Sequence, residues 1–398
     1  MPIQVWSGPP AGTSAAGERV EQIRVMVVDD SVVVRKIVTD VLSEDPMITV
    51  VGTAPNGRLA VAKLEQLKPD LVTMDIEMPE MNGIEAVRAI RSRAGGQAYS
   101  RVPIIMFSTL TERGASATLD ALSAGANEYV TKPANVGSVA QSMESVRQQL
   151  IPKIKALTGR PQTSGPAAAP VAAPVAVRPP VARTRAAKEP AVLVIGSSTG
   201  GPEALTKVLP LLPASLPVPV LLVQHMPPVF TRQFAQRLDR LCPLTVVEAT
   251  DGSPLVPGTV HIAPGDFHLT VGTSGASRRT ALNQAPPENF CRPAVDVLFR
   301  SAVAAYDGAV LGVVLTGMGS DGRIGAGQIR DAGGTVVAQD QATSVVWGMP
   351  GAVAQAGFAD EVLPLGRVAE AIVRLLPTPR PAASFAAARA AAPMGGRR

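Results

Sequence analysis

The chain of 398 residues has few of the residues that would define a disulfide-rich, metal-binding or membrane-spanning protein. Its only two cysteines, Cys242 and Cys291, cannot form a disulfide framework and lie too far apart in sequence for a metal-binding motif. No run of about 18 apolar residues occurs, and the N-terminus lacks the charged and apolar regions of a signal peptide. We therefore expect a soluble protein of the reducing cytoplasm, with no membrane insertion.

The parts of the chain that have a folding pattern also lack a net positive charge. The formal net charge is +5, but the Ala/Pro-rich residues 159–190 carry +4 and the residues after Pro377 carry another +4, which leaves about −3 elsewhere. The second half has no helix-turn-helix pattern with a basic recognition helix. We expect no nucleic-acid partner, and we interpret the two basic segments as a flexible linker and a disordered tail.

The length predicts two domains with connecting material. In the first half, five short β-branched runs alternate with helix-like segments, which predicts a (βα)5 domain with a parallel sheet and helices on both faces. The second half predicts a doubly wound α/β domain. The expected boundaries are an N-terminal extension at 1–22, a first domain at 23–150, a linker at 151–190, a second domain at 191–376 and a tail at 377–398.

Polar residues end the predicted strands of the first domain. Asp29 and Asp30 end the first strand, Asp75 the third, Ser108 the fourth and Lys132 the fifth. These strand ends meet at one edge of a parallel sheet. Three carboxylates together would repel one another without a cation, and hard oxygen ligands suit Mg²⁺. A carboxylate beside Mg²⁺, a lysine and a hydroxyl forms a set that accepts a phosphoryl group.

The segments VVDDS, MDIEMPEMNG, FSTLT and VTKP resemble the receiver domain of two-component response regulators. The resemblance implies that Asp75 is the phosphoacceptor and that Asp29 and Asp30 help it to hold Mg²⁺. It also implies that Ser108 and Lys132 sense the phosphoryl group, and that Tyr129 is the switch aromatic residue. A receiver is a switch, so the second domain should be its output.

The stretch IGSSTGGPEAL in the second domain begins after an apolar run. A Walker A loop would place Lys and Ser/Thr after Gly201, where this chain has Pro202 and Glu203. The dinucleotide motif G-x-G-x-x-G also fails, because residue 198 is serine. The stretch does fit G-x-S-x-G, in which the central Ser198 projects from a strand-to-helix turn as a nucleophile.

A serine nucleophile needs a base and a carboxylate to orient that base. Among the three histidines, His225 follows a predicted strand as Ser198 does, whereas His261 is expected to be structural and His268 is given no chemical role. Asp321 follows another apolar run in a glycine-rich turn. The hydrolase site predicted in this way needs no cofactor.

The segments GSSTGG, QHMPPVFT, APGDFHL, RPAVDVLF, LTGMGSDG and WGMP resemble the catalytic domain of the CheB family of chemotaxis methylesterases and glutaminases. The resemblance implies that Ser198 is the nucleophile, His225 the base and Asp321 the orienting carboxylate, with Met318 as a backbone oxyanion donor. It favours Ser198 over its neighbour Ser197. It also implies that the substrate is the cytoplasmic helical bundle of chemoreceptors and that the phosphodonor is a chemotaxis histidine kinase. The alternative is a non-catalytic regulator that acts as a phosphate sink or binds receptors.

Overall fold

The structure, a computed structural model, describes residues 22–92, 99–132, 139–159, 186–275 and 277–378. They form two α/β domains. Most of the predicted N-terminal extension, most of the predicted linker and the tail from residue 379 lie outside the described residues. Within the described ranges, no helix combines the length and the apolar character needed to cross a bilayer.

The first domain has the predicted five-stranded parallel sheet, with strand order β2-β1-β3-β4-β5. The strands are β1 (Ile23–Val28), β2 (Ile48–Ala54), β3 (Leu71–Asp75), β4 (Ile104–Ser108) and β5 (Glu128–Thr131). The helices are α1 (Val32–Ser43), α2 (Gly57–Leu67), α3 (Gly83–Arg91), α4 (Glu112–Ser123) and α5 (Val139–Leu157). Helix α1 packs against α5, and α2, α3 and α4 pack in succession. Helices on both faces leave β3 and β4 buried along their whole length.

Helix α5 extends past the expected end of the first domain at residue 150. It continues without interruption to Leu157, and Ile154 in this extension is fully buried in the core between α1, α5 and the sheet. A buried apolar side chain on a continuous helix belongs to the domain whose core it fills. We propose that the first domain extends to Leu157 and that the linker starts after this helix.

The second domain has a seven-stranded sheet with order β14-β13-β12-β6-β7-β9-β8, and all its strand pairs are parallel. The strands are β6 (Val192–Ser197), β7 (Val220–Gln224), β8 (Thr245–Glu248), β9 (Thr259–Ile262), β12 (Val310–Val314), β13 (Thr335–Gln339) and β14 (Glu361–Leu363). A separate antiparallel hairpin contains β10 (His268–Ser274) and β11 (Ser277–Asn283). The helices are α6 (Gly201–Val208), α7 (Phe230–Leu241), α8 (Val295–Ala305), α9 (Arg323–Asp331), α10 (Met349–Gln355) and α11 (Leu365–Leu375).

The direction in which the sheet is built reverses at β6. The chain runs outward from β6 through β7 on one side, and later returns to place β12 on the other side of β6. In doubly wound sheets the functional crevice lies at the carboxyl ends of the strands beside such a reversal. Strands β6, β7 and β12 are buried along their whole length, as expected for the centre of a parallel sheet.

The two domains pack together through α4 of the first domain and α6 and α7 of the second. Apolar residues of both domains form one continuous core cluster, which includes Leu119 and Leu122 of α4 and Phe234 of α7. At the edge of this contact, Arg237 Nη1 donates to Asp120 Oδ1 at 2.6 Å and Arg237 Nη2 donates to Ser123 Oγ at 2.8 Å. We call this surface, formed by α4, α6 and α7, the interdomain contact.

Candidate functional site

Backbone hydrogen bonds tie together the three strand ends that carry the predicted residues. The His225 N–H donates to Ser197 O at 3.1 Å and joins the end of β7 to that of β6. The Ser198 N–H donates to Thr316 O at 3.0 Å and joins the end of β6 to the segment after β12. The sheet therefore brings the segments of Ser198, His225 and Asp321 to one edge, as the sequence predicted.

The two adjacent serines have different surroundings. Ser197 is fully buried, and its Oγ donates to Gln224 Oε1 at 2.7 Å. The Gln224 amide then donates to Ser198 O at 3.0 Å and to His225 O at 3.1 Å. Ser198 is only partly buried. The Ser197 hydroxyl is thus used in internal structure, which leaves Ser198 as the serine with solvent access.

His225 and Asp321 are in direct contact. His225 Nε2 lies 2.9 Å from Asp321 Oδ2, and His225 Nδ1 lies 3.5 Å from Cys291 Sγ. An ionised carboxylate only accepts hydrogen bonds, so Nε2 carries the proton of this pair. Among the described residues, Ser198 Oγ makes no hydrogen bond to the His225 ring; such contacts are often long before substrate binds.

Asp321 is buried and accepts hydrogen bonds from several segments besides His225. The other donors are the backbone N–H groups of Val295, Asp296 and Gly322, at 2.7, 3.0 and 2.9 Å, and the Asn289 side chain, at 2.8 Å. Burial raises the pKa of the Asp321 carboxyl, but the hydrogen bonds and the charge of His225 outweigh burial and lower it from its ordinary value. Asp321 is therefore ionised and held in place.

The pKa of His225 is raised from 6.5 to about 10. Burial lowers it, but the hydrogen bond with Asp321, the contact with Cys291 and the charges of these two groups together outweigh burial. The imidazole ring is thus strongly basic. Cys291 contacts Nδ1, the ring nitrogen that does not bond to Asp321.

A second carboxylate, Asp296, lies beside Asp321 at the start of α8. It is fully buried, accepts from Gly325 N at 2.6 Å and shares the Asn289 amide, which lies 3.0 Å away. Burial raises the pKa of Asp296, and the neighbouring charge of Asp321 raises it further, against the hydrogen bonds from Gly325 and Asn289. The pair therefore concentrates its negative charge on Asp321, the carboxylate that contacts His225.

Gly317 allows the segment after β12 to approach Ser198 closely. A Cβ atom at this position would lie 2.9 Å from Ser198 Cβ and 2.3 Å from Met349 Sδ. Met318, the predicted oxyanion donor, is the next residue, in the segment between β12 and α9. The backbone at this point therefore runs directly beside the candidate nucleophile.

The other two histidines lie in structural positions. His261 is buried in β9, and burial lowers the pKa of its imidazole, so the ring is neutral. His268 begins β10; its Nδ1 accepts from Ala294 N at 3.2 Å and its Nε2 lies 3.2 Å from Pro286 O. Backbone contacts therefore occupy both ring nitrogens of His268.

The predicted acidic set of the first domain is also brought together. One carboxylate oxygen each from Asp29, Asp30 and Asp75 lie within 4.8 Å of one another. Lys132 Nζ lies 2.8 Å from Asp75 Oδ1 and 3.1 Å from Asp29 Oδ2. Burial and the charge of Asp29 raise the pKa of Asp75 to about 6, against the effect of Lys132. A hard divalent cation would offset this concentration of negative charge, so the oxygen donors fit Mg²⁺.

Ser108 and Tyr129 connect this acidic set with the interdomain contact. The Ser108 hydroxyl lines the same cleft as Asp75 and Lys132, and accepts a hydrogen bond from Thr118 of α4 at 2.5 Å. Tyr129 is buried and stacks on Phe230, the first residue of α7, with ring centroids 4.8 Å apart and planes 4° from parallel. Ser108 thus contacts α4 and Tyr129 contacts α7, and both helices belong to the interdomain contact.

Four residues at the second-domain site were not assigned from sequence: Gln224, Asn289, Cys291 and Asp296. Gln224 is the last residue of β7 and directly precedes His225, and this position in the sequence could have identified it as a site residue. Asn289 and Cys291 lie in the loop segment PPENFCRP, which has no strand end or glycine motif. The contact of Asp296 with Asp321 could not be predicted from their spacing in the sequence.

Comparisons with known proteins agree with the two-domain architecture. Residues 193–372 match the family model of the CheB methylesterase, and residues 25–144 match that of the response regulator receiver domain. A protein-glutamate methylesterase/protein-glutamine glutaminase of Nocardioides sp. is 64% identical over 90% of this chain and 97% of its own length. The protein of the same name from Trichodesmium erythraeum is 49% identical over 89% and 99%. The crystal structure of the Thermotoga maritima CheB methylesterase catalytic domain is 45% identical, covers 47% of this chain and 99% of that one, and has a TM-score of 0.46.

We expect Gly317→Ala to lower ester hydrolysis by about tenfold or more, because the added methyl group would displace Ser198, and small misplacements near a reacting atom are costly. The free energy of unfolding should fall by about 1–3 kcal/mol, because the added methyl group overpacks the site. The control is Gly366→Ala in α11, where a Cβ meets open space. Equal activity of the two variants would contradict this account of Gly317.

We expect Cys291→Ala to move the acid limb of the pH-rate profile to lower pH. His225 accepts a proton only when neutral, so its raised pKa places that limb high, and removing the thiol removes one of the causes of the increase. The measurement is kcat/KM for a small methyl ester as a function of pH. Cys242→Ala is the control, since Cys242 lies at the end of α7. A profile that is the same in both variants would contradict the assignment.

Proposed function

Because the chain belongs to the CheB family of protein-glutamate methylesterases/protein-glutamine glutaminases, carboxylic ester hydrolases with a response regulator receiver domain, we propose that it demethylates glutamyl methyl esters and deamidates glutamines on chemoreceptors. The substrate sites would be the cytoplasmic domains of these receptors, and the enzyme would act from the cytoplasm in chemotaxis adaptation. The observation that carries the proposal is the contact of His225 with Asp321 beside the partly exposed Ser198.

The proposed reaction is acyl transfer through a serine ester. Because Nε2–H of His225 donates to Asp321, Nδ1 is the nitrogen that accepts the proton of Ser198 Oγ. The serine oxygen attacks the side-chain carbonyl of the substrate. The imidazolium then gives its proton to the leaving group, which is the methoxide oxygen of an ester or the amide nitrogen of a glutamine. Methanol or ammonia leaves, and water activated by His225 hydrolyses the acyl-enzyme.

Two further groups have supporting roles in this proposal. Asp321 keeps the imidazole in the tautomer that has Nδ1 free, and stabilises the imidazolium once it forms. The Met318 backbone N–H is the proposed donor to the oxyanion, which is supported by the close approach of the adjacent Gly317 to Ser198. No metal or cofactor is included in this reaction.

We further propose that phosphorylation of Asp75 by a chemotaxis histidine kinase activates the hydrolase. Asp29, Asp30 and Asp75 would hold Mg²⁺, which supplies positive charge to the oxygens of the phosphoryl group. Ser108 and Lys132, which line the same cleft as Asp75, would then contact the phosphoryl group. The site is thus suited to phosphorylation of one carboxylate, that of Asp75.

The interdomain contact supports a route from Asp75 to the hydrolase site. A Ser108 hydroxyl that turns towards the phosphoryl group would leave Thr118 of α4, and α4 packs on α6 and α7. Helix α6 begins three residues after Ser198, and α7 begins five residues after His225. In the proposal, the unphosphorylated receiver restrains these helices and restricts the access of substrate to Ser198. Phosphorylation releases the helices.

The first test compares Ser198→Ala with Ser197→Ala on methylated receptor membranes. We expect Ser198→Ala to reduce methanol release by about 10³-fold or more, because the nucleophile is lost. Ser197→Ala should keep the reaction but lose about 1–3 kcal/mol of stability, because Gln224 Oε1 is left without its buried donor. Equal, negligible release by wild type and Ser198→Ala would favour the non-catalytic regulator instead.

The second test concerns activation. With Mg²⁺ and a small phosphodonor, methanol release by wild type should rise, whereas release by Asp75→Ala should remain at the unstimulated rate. Chelation of Mg²⁺ should keep wild type at the unstimulated rate as well. Asp40→Ala removes an exposed carboxylate paired with Lys36 and is the matched control. Stimulation of Asp75→Ala equal to that of wild type would refute this mechanism.

A further inference from the structure

A tight turn next to the hydrolase site has an unusual backbone. Glu288 and Cys291 exchange two backbone hydrogen bonds, of 3.1 and 2.9 Å, across the two-residue turn Asn289–Phe290. Both turn residues have positive φ, 53° for Asn289 and 62° for Phe290. Turns of this kind favour Asn followed by Gly, because glycine has no Cβ to clash. Phenylalanine in the second position is therefore held in a strained conformation.

Side-chain contacts on both sides hold this turn in place. Asn289 donates to Asp321 at 2.8 Å and to Asp296 at 3.0 Å. Glu288 accepts two hydrogen bonds of 2.7 Å from the guanidinium of Arg300. Cys291, which follows the turn, lies 3.5 Å from His225 Nδ1. The turn is thus fixed relative to the imidazole and the carboxylate of the proposed triad.

The Phe290 ring is not buried in the folded chain and therefore adds no stability through burial. Its relative exposure is 103%, the largest among the exposed large apolar side chains of the described residues. Burial is the ordinary contribution of a phenyl ring to stability, and here that contribution is absent. Strain kept at a functional site for a side chain that does not stabilise the fold points to a role in binding.

A second exposed apolar side chain belongs to the residue next in sequence to a group that binds Asp296. Ile324, in the first turn of α9, is 50% exposed, and the next residue, Gly325, donates its N–H to Asp296. Phe290 and Ile324 therefore lie on different segments, and each is one residue from a group bound to Asp296. We call these two side chains the apolar rim.

We propose that the apolar rim determines specificity by packing against apolar side chains of the receptor helix beside the modified glutamyl side chain. This inference rests on the proposed function. In the proposed substrate, the cytoplasmic helical bundle of a chemoreceptor, the glutamyl side chain projects from a helix, and the residues three and four positions away lie on the same face. These neighbouring receptor side chains therefore contact the residues that surround the hydrolase site. Aromatic side chains are frequent anchors of such contacts, because they bury a large area with few rotatable bonds.

The test compares two substrates: a receptor cytoplasmic domain carrying radiolabelled glutamyl methyl esters, and glutamate γ-methyl ester as a free small molecule. For Phe290→Gly we expect KM on the receptor domain to rise about tenfold with kcat little changed, as loss of a binding anchor predicts. Hydrolysis of the small ester should be unchanged. Melting temperature should be equal to or above that of wild type, since glycine accepts positive φ.

Further variants control for structure and for surface hydrophobicity. Phe290→Leu keeps an apolar side chain and should restore most of the affinity, whereas Ile324→Ser should raise KM on the receptor domain by a smaller factor. Leu211→Ser removes an exposed apolar side chain from the 3₁₀ turn after α6 and should leave both substrates unaffected.

Three results would overturn the inference. If wild type hydrolyses the receptor esters and Phe290→Gly does so with the same KM, the apolar rim does not bind the receptor, and the proposed function stands. If Phe290→Gly loses activity equally on the small ester, the residue supports the structure of the site instead. If wild type hydrolyses neither substrate, the proposed function fails and the inference fails with it.

Discussion

The buried carboxylate of Asp321 connects three other segments of the second domain with its own segment before α9. It accepts from the ring of His225 after β7, from the Asn289 side chain in the turn before α8, from the first backbone N–H groups of α8, and from Gly322 before α9. A buried charge without partners is strongly destabilising, by about 3–5 kcal/mol when one partner is removed. The geometry around His225 therefore follows from the requirement to compensate this one negative charge.

The start of α8 meets part of that requirement. Its first N–H groups have no partners within the helix and carry the positive end of the helix dipole, so a carboxylate is favourable there. Val295 N and Asp296 N both donate to Asp321. Asp296 itself lies in the same turn, and its raised pKa reflects both its own burial and the neighbouring charge. The helix thus stabilises one ionised carboxylate next to the histidine.

The interdomain contact uses helices that start beside the proposed catalytic residues. Helices α6 and α7 follow Ser198 and His225 closely in sequence, and the same two helices pack on α4 of the receiver. The stacking of Tyr129 on Phe230 places the predicted switch residue against the first residue of α7. A change in receiver structure therefore has a short path to the hydrolase site, which is the physical basis of the proposed regulation.

The sequence was sufficient for the fold and for the residues at strand ends. Parallel strands covered on both faces appear as continuous apolar runs, and their carboxyl ends must meet at one edge, so the positions of Asp75, Lys132 and His225 could be predicted. Asp321 lies seven residues beyond the end of β12, and its position was predicted from the glycine-rich turn before α9. The choice between Ser197 and Ser198 rested on a motif and a resemblance. The surroundings of the two serines support that choice, because Gln224 engages the hydroxyl of Ser197 and not that of Ser198.

Local sequence thus determined the strands, the glycine turns and the distribution of charge, since these depend on neighbouring residues. Tertiary structure alone decided which distant groups meet. Asn289 contacts Asp321 across 32 positions, Cys291 contacts His225 across 66, and His225 contacts Asp321 across 96. No local periodicity specifies such contacts, because they arise from the packing of α8 and its preceding turn against the sheet edge. The exposure of Phe290 was decided in the same way, by the contacts that fix its turn.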